Sequence, residues 1–440
     1  MSLESDIIER IRPSKEEYDK VKASAERLRG MVESYIEKND IDARTCFVGS
    51  FAKGTFLSNN DLDLFILFPV DFPKKRMEEF CLRMGEDLID GQRAYAEHPY
   101  SSGKFEGLDV DLVPCYDIDS TEHLMTPMDR SPFHTRYVLS KVDDAMCDQI
   151  RLTKRFMKGI GTYGAEPDVR GFSGYLCEIL TIRYGGFLEL LKEGRGWRSG
   201  TVVVIEKEGP AFDEPLVVYD PVDAKRNVAS AVHRDTLARF TEACDAYLRS
   251  PSERFFFPNV REPHAREELA GIADAKGLRL LTVTFGRPDV ILENLHAQIW
   301  RTAYALEKKM LSKGFETSSF IRGLYDDRFE IVFALKNDSL PKLEKHMGPP
   351  ADCASSESFL RRWKDNPYGE PFVENGRWYV MAERTYPDAV SLLRKETVSA
   401  GIGKDVDPRT MVLWGHDASL SSADQSLLTD LLDPVPPWEV

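Results

Sequence analysis

The sequence predicts a multidomain protein that combines α/β and α+β architecture. Its 440 residues are too many for one hydrophobic core and indicate roughly two to four domains. An apolar content of 42% and a charged content of 30% are typical of globular domains. Segments with the helical period alternate along the chain with short apolar or alternating segments that are typical of strands.

The first 145 residues predict a mixed sheet with helices. Residues 14–38 are predicted to form a helix, because Ser14 is a good N-cap and apolar side chains then recur at helical spacing. ARTCFVGS predicts a short strand, and LDLFILFPV predicts a second strand that is apolar enough to be central in a sheet. Asn59 and Asn60 supply the turn before it. GLDVDLVPCY alternates up to a proline and predicts a third strand.

The rest of the chain predicts two further regions. Residues 146–265 contain helical patterns, two short strands and a helix over NVASAVHRDTLARFTEACDAYLRS. Residues 266–440 contain a strand, a long helix and two strands around Asp326 and Asp327, a βαββ order that favours a ferredoxin-like or RNA-recognition-like unit. The tail DPVPPWEV is rich in proline and is expected to be loose. We therefore expect domains at 1–145, 146–265 and 266–440.

Composition and charge argue against several classes of protein. The chain has no run of about 18 apolar residues and its start has no signal-peptide core, so we expect a cytoplasmic protein without membrane contact. Seven scattered cysteines without C-x-x-C spacing argue against a disulfide framework and a zinc site. The net charge is −15, but residues 151–265 carry +1. Phosphate binding depends on local potential, so the charge neither supports nor excludes RNA.

Two predicted strands each carry a pair of aspartates. Alternation places Asp61 and Asp63 on one face of the second strand, and Asp109 and Asp111 on one face of the third. Carboxylates on one face repel each other unless a cation lies between them, and hard oxygen ligands suit Mg²⁺. If the two strands are neighbours, three or four carboxylates converge, as in a two-metal site for phosphoryl displacement.

The segment before the first aspartate pair predicts a phosphate-binding loop. Gly49 and Ser50 follow a predicted strand, and small residues there let backbone N–H groups and a hydroxyl approach a phosphate. Lys53 adds a cation. The loop from Gly49 to Asn60 is therefore expected to hold a triphosphate over metal ions that Asp61 and Asp63 bind.

Several motifs together carry a resemblance to a known family. Gly-Ser, ten residues and then DLDL resemble the signature of the DNA polymerase β-type nucleotidyltransferase superfamily. The chain further resembles the archaeal, class I CCA-adding enzymes over about residues 1–265, through GSFAKGTFL, VDLVPCY, SPFHTRYV, RLTKRFMKGIGTYG, GFSGYLCEIL and DPVDAKRNVA. The C-terminal third matches more loosely, through FETSSFIRGLYDDRFEIVFAL and HMGPP. The resemblance implies a nucleotidyltransferase head, a central nucleotide- and primer-binding domain and a C-terminal tRNA-binding region.

The resemblance also implies roles for individual residues. Asp61, Asp63 and Asp111 resemble the metal-binding carboxylates, with Asp61 as a shorter substitute for a glutamate; the resemblance does not extend to Asp109. The residues that the resemblance places around the nucleotide are Gly49, Ser50 and Lys53 at the phosphates, His134, Lys154 and Tyr163 at the triphosphate and ribose, and Arg226 beside the incoming base. Lys53 stands where the family often has arginine, so a single ammonium group replaces a bidentate grip.

The implied activity is addition of C, C and A to tRNA 3′ ends from CTP and ATP, with Mg²⁺ as cofactor and pyrophosphate as product. A homodimer is compatible with the resemblance. Two alternatives stay open: a poly(A) polymerase or oligoadenylate-synthase-like enzyme, and a non-catalytic RNA-binding protein. Taken singly, the site residues have ordinary explanations, and most of the cationic cluster Arg151, Lys154, Arg155 and Lys158 is expected to form a solvated helix face.

Overall fold

The structure, a computed structural model, describes residues 2–57, 61–95 and 99–440. The chain divides into two compact units. The first unit runs to Val260 and includes Pro436–Val440, and the second comprises Arg261–Val435. The turn predicted at Asn59 and Asn60 lies outside the described residues.

The first unit contains the predicted mixed sheet and a helical part. Its helices are α1 Leu3–Ile11, α2 Lys15–Lys38, α3 Gly49–Lys53, α4 Lys74–Ile89, α5 Ser131–Leu139, α6 Asp144–Gly159, α7 Gly174–Tyr184, α8 Phe187–Gly194 and α9 Arg234–Arg249. Its strands are β1 Arg44–Val48, β2 Asp61–Phe68, β3 Gln92–Tyr95, β4 Pro99–Phe105, β5 Leu108–Tyr116, β6 Thr201–Val203 and β7 Leu216–Val218.

The main sheet of this unit has five strands in the order β1-β2-β5-β4-β3. β2 and β5 run parallel at its centre, and the other neighbouring strands pair antiparallel. Leu62 and Leu64 on β2 are fully buried, as is Leu112 on β5, and they pack with apolar side chains of α2 and α4. The apolar β2 is therefore central, as the sequence predicts, because one of its faces carries the core.

The helix predicted over residues 14–38 is confirmed as α2, together with its N-cap at Ser14. α2 begins after Ser14, whose hydroxyl accepts a hydrogen bond from the backbone N–H of Glu17, and the Glu17 carboxylate accepts one from the N–H of Ser14. This reciprocal capping box satisfies two otherwise unpaired donors at the helix N-terminus.

The helical part of the first unit packs around a second core that is rich in aromatic side chains. Phe156, Phe172, Phe240 and Tyr247 are fully buried there. The helix predicted from Asn227 onward is wrong at its start. α9 begins only at Arg234, because the preceding residues form a turn and the backbone N–H of Val228 donates to the carbonyl of Val218.

The expected loose tail is instead held in place. Trp438 is 6% exposed, and its ring stacks on Phe255 with 5.3 Å between centroids. The side-chain amide of Asn259 also donates to the carbonyl of Val440 at 3.0 Å. The proline-rich composition indicated disorder, but the buried indole gives the tail enough apolar contact to offset its ordering entropy.

The second unit contains two sheets and six helices among the described residues. Its elements are α10 Arg266–Ala275, β8 Arg279–Gly286, α11 Leu292–Leu311, β9 Thr317–Leu324, β10 Arg328–Leu335, β11 Leu343–Pro350, α12 Ser356–Arg362, β12 Phe372–Glu374, β13 Arg377–Glu383, α13 Ala389–Glu396, β14 Val412–Trp414, α14 His416–Ser422 and α15 Gln425–Leu432. β11, β13 and β12 form a three-stranded sheet that is inserted between β10 and α13.

The larger sheet of the second unit has the order β14-β8-β10-β9, with all neighbours antiparallel. With α11 and α13 between its strands, this is a ferredoxin-like βαββαβ arrangement in which the last strand lies beside the first. α11 and α13 cover one face, and α10 and α15 pack on the other. The predicted multidomain α/β and α+β class is confirmed. Within the described residues, no helix combines the length and apolar composition that a membrane crossing requires.

We predict that Trp438→Ala destabilises the first unit. The substitution removes a buried ring and leaves a cavity beside Phe255, so the free energy of unfolding should fall by about 3–5 kcal/mol. Trp438→Phe keeps an aromatic ring for the stack and should lose less than half of that. Urea unfolding of the full chain, followed by circular dichroism, measures both variants; equal midpoints for Trp438→Ala and wild type would contradict the observed packing.

Candidate active site

The register of β2 with β5 aligns the two pairs of aspartates. Asp61 lies opposite Asp109, and Asp63 lies opposite Asp111. All four therefore lie on the face of the sheet that points away from α2 and α4. Asp63 and Asp111 are partly buried, whereas Asp61 and Asp109 are exposed. The predicted neighbouring strands are confirmed, and they bring carboxylates of both strands to one place.

Burial and neighbouring aspartates raise the pKa values of Asp61, Asp63 and Asp111. Burial, together with the charges of Asp111 and Asp61, raises the pKa of Asp63 to about 7. Burial, and then Asp109, raises the pKa of Asp61. Burial also raises the pKa of Asp111, and a hydrogen bond with Ser102 partly offsets this. The cluster thus carries an excess of negative charge that a cation would relieve.

Asp109 differs from the other three aspartates. Its carboxylate accepts a hydrogen bond from Lys104 Nζ at 2.7 Å, and its side chain is 63% exposed. An exposed, paired carboxylate is a poor candidate ligand, which favours the interpretation of Asp109 as a charge at the rim.

The donor set of Asp61, Asp63 and Asp111 fits a hard divalent cation, since all three offer carboxylate oxygens. In the part of the chain that the structure describes, however, no group of three or more histidine, cysteine, aspartate or glutamate side chains is placed so that it could hold a metal ion. A cation at Asp61, Asp63 and Asp111 would therefore need substrate phosphates and water to complete its ligand shell.

Both the backbone conformation and the space available at position 49 require glycine. Its φ of +70° lies in the left-handed region, and a Cβ at this position would come within 1.9 Å of Asp63 Oδ2. Only glycine satisfies both conditions. Residues 49–53 form the short helix α3 rather than a loop, and Ser50 and Asp63 line the same cleft. The Gly-Ser pair ahead of the two aspartates thus reflects the close packing of α3 against β2.

Lys53 and Lys154 are buried and share one carboxylate. Lys53 is 7% exposed and donates to Glu178 Oε2 at 2.6 Å, and Lys154 is 2% exposed and donates to Glu178 Oε1 at 2.7 Å. Thr55 donates to Glu178 Oε1 at 2.6 Å. Burial alone would raise the pKa of Glu178, but Lys154 and Lys53 lower it to about 2. Two ammonium groups against one carboxylate leave one surplus positive charge.

This arrangement bears on two expectations from the sequence. Lys53 was expected to add a cation to a phosphate-binding loop; its ammonium group is paired with Glu178 at the end of α3, and its contact with phosphate stays a prediction. The cluster on α6 was expected to be a solvated face, but Arg151 is 7% exposed, and of the four cations only Lys158 is exposed. Burial of Lys154 and Arg151 follows from the packing of α6 against α7 and α3, which the local pattern did not contain.

Asp220 organises the opposite side of the cleft. It is 1% exposed, and its carboxylate binds His134 Nε2 at 2.8 Å and Arg226 Nη1 at 2.9 Å. Tyr175 donates to the same carboxylate at 3.3 Å, and its ring stacks on His134 with 3.9 Å between centroids. Burial lowers the pKa of His134 and so favours the neutral ring; with the proton on Nε2, the ring donates a hydrogen bond to the Asp220 carboxylate. The Arg226 side chain stays 38% exposed.

A cleft of about 310 Å³ brings most of these groups together, but Asp111, Asp220 and Arg226 are not among the residues that line it. It is lined by residues of both predicted regions of the first unit, including Gly49, Ser50, Lys53, Asp63, His134, Lys154, Tyr163, Tyr175 and Glu178. A second depression of about 540 Å³ contains Asp61 and shares Ser50, Lys154 and Tyr163 with the cleft. Seven of the ten predicted site residues therefore line one cleft, while Asp61 borders the adjacent depression.

The sequence analysis missed Glu178, Asp220 and Tyr175. Glu178 had a readable signal, because it is a single charge within the apolar stretch YLCEILTI and a buried charge needs a partner. Asp220 stands in the quoted motif DPVDAKRNVA, but its partners lie 86 residues away at His134 and 6 away at Arg226. Only the fold brings them together.

Comparison with known proteins agrees with this geometry. The model of the nucleotidyltransferase domain family matches residues 28–134, that of the second domain of tRNA nucleotidyltransferase matches 148–257, and that of the C-terminal domain of CCA-adding enzyme matches 276–411. Fold and site thus define a nucleotidyltransferase.

Relatives that match nearly the whole chain narrow the assignment from nucleotidyltransferases in general to one family. The CCA-adding enzyme of Methanoregula boonei is 36% identical over 90% of this chain and 87% of its own length. Those of Picrophilus torridus and Halobacterium salinarum are 36% and 35% identical over 84% and 92% of this chain, and over 85% and 91% of their own lengths. The chain belongs to the family of archaeal CCA-adding enzymes.

We predict that Glu178→Gln destabilises the protein strongly. Removing the carboxylate leaves Lys53 and Lys154 buried without a countercharge, which should cost about 3–5 kcal/mol of the free energy of unfolding. Glu189→Gln, which removes an exposed partner of Lys192, is the matched control and should leave the urea midpoint unchanged. A Glu178→Gln midpoint equal to that of the control would show that the buried triad is not formed.

We predict that the metal-free protein loses stability as the pH rises from about 4 to about 7. Asp63 keeps its proton in the folded state up to about pH 7, whereas the unfolded chain releases it near the ordinary value of 3.8. The folded state binds more protons between these values, so unfolding becomes easier as the pH rises, by about 2–4 kcal/mol in total.

Asp63→Asn removes the titrating group and should flatten this dependence. Urea unfolding with a chelator between pH 4 and 8 measures it, and added Mg²⁺ should restore stability above pH 7 in the wild type more than in Asp63→Asn. Parallel pH profiles for the two proteins would contradict the burial and charge crowding at Asp63.

Proposed function

We propose that this chain adds C, C and A in turn to the 3′ end of tRNA, using CTP and ATP and releasing pyrophosphate. The observation that carries the proposal is the parallel register of β2 and β5, which aligns Asp63 with Asp111 on one face beside the cleft. Membership of the CCA-adding family supplies the substrates, tRNA and nucleotides.

The family depends on divalent metal ions, and we propose Mg²⁺ held by Asp61, Asp63 and Asp111. The crowded carboxylates support this, because burial and the neighbouring aspartates raise their pKa values, and a bound cation would stabilise their charged forms. When bound, the ions would neutralise charge on the α-phosphate and make the terminal 3′-hydroxyl a better nucleophile.

The buried lysines supply the charge complement for a triphosphate. Lys53, Lys154 and Glu178 together carry one surplus positive charge at the wall of the cleft. In a site from which water is largely excluded, such a fixed charge attracts an anion more strongly than it would at the surface. We propose that Lys53 and Lys154 act mainly through this charge, while the Ser50 hydroxyl and the α3 backbone make the direct phosphate contacts.

The groups around Asp220 are proposed to hold the nucleoside. The hydrogen bonds of Asp220 fix His134 and Arg226 on one side of the cleft, and the half-exposed guanidinium is free to face a base. Tyr163 borders both the cleft and the adjacent depression, a position that suits a ribose contact. A planar guanidinium with fixed geometry can discriminate hydrogen-bonding patterns on base edges.

We propose residues 1–145 as the catalytic domain, 146–265 as the nucleotide- and primer-binding domain and 266–440 as the tRNA-binding region. The order of the matched family models supports this division. A homodimer stays a prediction, which sedimentation of the purified chain would answer.

The test uses tRNA transcripts that end before CCA, after C and after CC, incubated with the protein, Mg²⁺ and labelled CTP or ATP. We expect addition of two C residues and one A, followed by a stop. Asp61→Asn and Asp63→Asn should each reduce the rate at least about 10³-fold because metal binding is lost. Asp109→Asn, which removes a carboxylate already paired with Lys104, should cost far less.

Each other result points elsewhere. Long A tails would assign the protein to the poly(A) polymerase or oligoadenylate-synthase-like alternative. No incorporation while tRNA still binds would leave a non-catalytic RNA-binding protein. Full activity of Asp63→Asn would overturn the metal assignment.

A further inference from the structure

One face of α6 carries a stripe of cations, spaced three or four residues apart: Arg151, Lys154, Arg155 and Lys158. The first two form ion pairs inside the protein, Arg151 with Asp148 at 2.8 Å and Lys154 with Glu178 at 2.7 Å. Among the residues that the structure describes, no carboxylate forms an ion pair with Arg155 or Lys158. Within the described residues, the C-terminal half of the stripe therefore has no carboxylate at ion-pair distance, although the charge of Lys158 lowers the pKa of the neighbouring Asp61.

Arg155 lies in a cluster in which the positive charges outnumber the negative charges by one. Its guanidinium lies 4.3 Å from the ring centroid of Phe257, and the guanidinium of Arg10 lies 4.0 Å from the same centroid. Arg10 pairs with Glu253 at 2.9 Å, whereas the buried Nε of Arg155 finds no hydrogen-bond acceptor within the described residues. Burial and the charge of Arg10 lower the pKa of Arg155, so an incoming anion would relieve the repulsion between the two guanidinium groups.

Lys158 lies one helical turn further, at the depression that contains Asp61. Its ammonium group is 5.0 Å from the ring centroid of Tyr163, and it borders the depression together with Asp61 and Asp109. It does not border the cleft that contains Asp63 and His134. Lys158 is therefore a cation in the depression next to Asp61, outside the cleft proposed for the nucleotide.

We propose that Lys158 and Arg155 bind neighbouring phosphodiesters of the RNA 3′ strand and so hold its terminal nucleotide in the depression beside Asp61. The two residues are one turn apart, with on the order of 5–6 Å between their Cβ atoms, close enough to contact successive phosphates. A nucleoside triphosphate has similar phosphate chemistry, but its site lies in the other cleft, around Lys53 and Lys154. This inference rests on the proposed function.

The test compares Lys158→Gln with Lys158→Arg and wild type in addition of A to tRNA ending in CC. We expect Lys158→Gln to raise the KM for tRNA about tenfold while the KM for ATP stays within about twofold, because one phosphate contact is lost. The slope of log(kcat/KM) for tRNA against log salt should become shallower by about 0.7–1. Lys158→Arg keeps the charge and should restore both values.

Arg155→Gln should likewise raise the KM for tRNA and make the salt slope shallower. In the double variant, the slope should decrease by about twice as much as in either single variant. Since Arg155 also packs on Phe257, thermal melting checks its folding, and Arg155→Lys keeps the charge. Lys75→Gln, at a side chain that is 89% exposed on α4, is the matched control and should change neither KM nor slope.

An unchanged KM for tRNA and an unchanged slope in Lys158→Gln would overturn the inference. A raised KM for ATP alone would also overturn it, by assigning the cations to the triphosphate. If the wild type adds no nucleotide, the proposed function fails, and the salt dependence of tRNA binding in the same variants still tests the phosphate contacts.

Discussion

The buried carboxylate of Glu178 is the interaction on which the geometry of the cleft depends. It holds Lys53 at the end of α3, Thr55 just beyond it and Lys154 on α6, and it stands itself on α7. α3 in turn places Gly49 against Asp63. Three buried charges cost much desolvation and would be replaced by apolar packing if stability alone mattered. Their effect is to fix the position of α3, and with it the wall of the cleft next to the carboxylates.

The site has two imbalances of charge with opposite signs. On the sheet, Asp61, Asp63 and Asp111 crowd negative charge, as the raised pKa of Asp63 shows. Across the cleft, the two lysines exceed the single Glu178 by one positive charge. Lys158 and Lys53 lower the pKa values of Asp61 and Asp63 only in part, because burial and the neighbouring aspartates raise them further. A nucleoside triphosphate with its bound cations has the complementary pattern, with cations toward the aspartates and phosphate oxygens toward the lysines, so substrate binding would neutralise both sides at once.

Asp220 has the same structural role at the proposed nucleoside site that Glu178 has at the proposed phosphate site. Each is a buried carboxylate from the central segment that fixes side chains contributed by other elements. In the proposed function, the head would supply the carboxylates that hold metal, and the central segment would supply the groups that position the nucleotide. Because both belong to one compact unit, their distances are set by packing inside that unit.

The sequence by itself determined the features that depend on short-range period and conformation. The cap of α2 at Ser14, the common face of Asp61 and Asp63, and the apolar interior of β2 all follow from neighbouring residues, because helix and strand periods are local. Only the tertiary structure decided which charged side chains are buried in ion pairs and which are exposed. Lys53 and Glu178 are 125 residues apart, and the tail at Trp438 is ordered by an aromatic core that forms elsewhere in the chain. Burial and ion pairing depend on segments that meet only in the fold, so a local pattern cannot tell a buried, paired lysine from an exposed one.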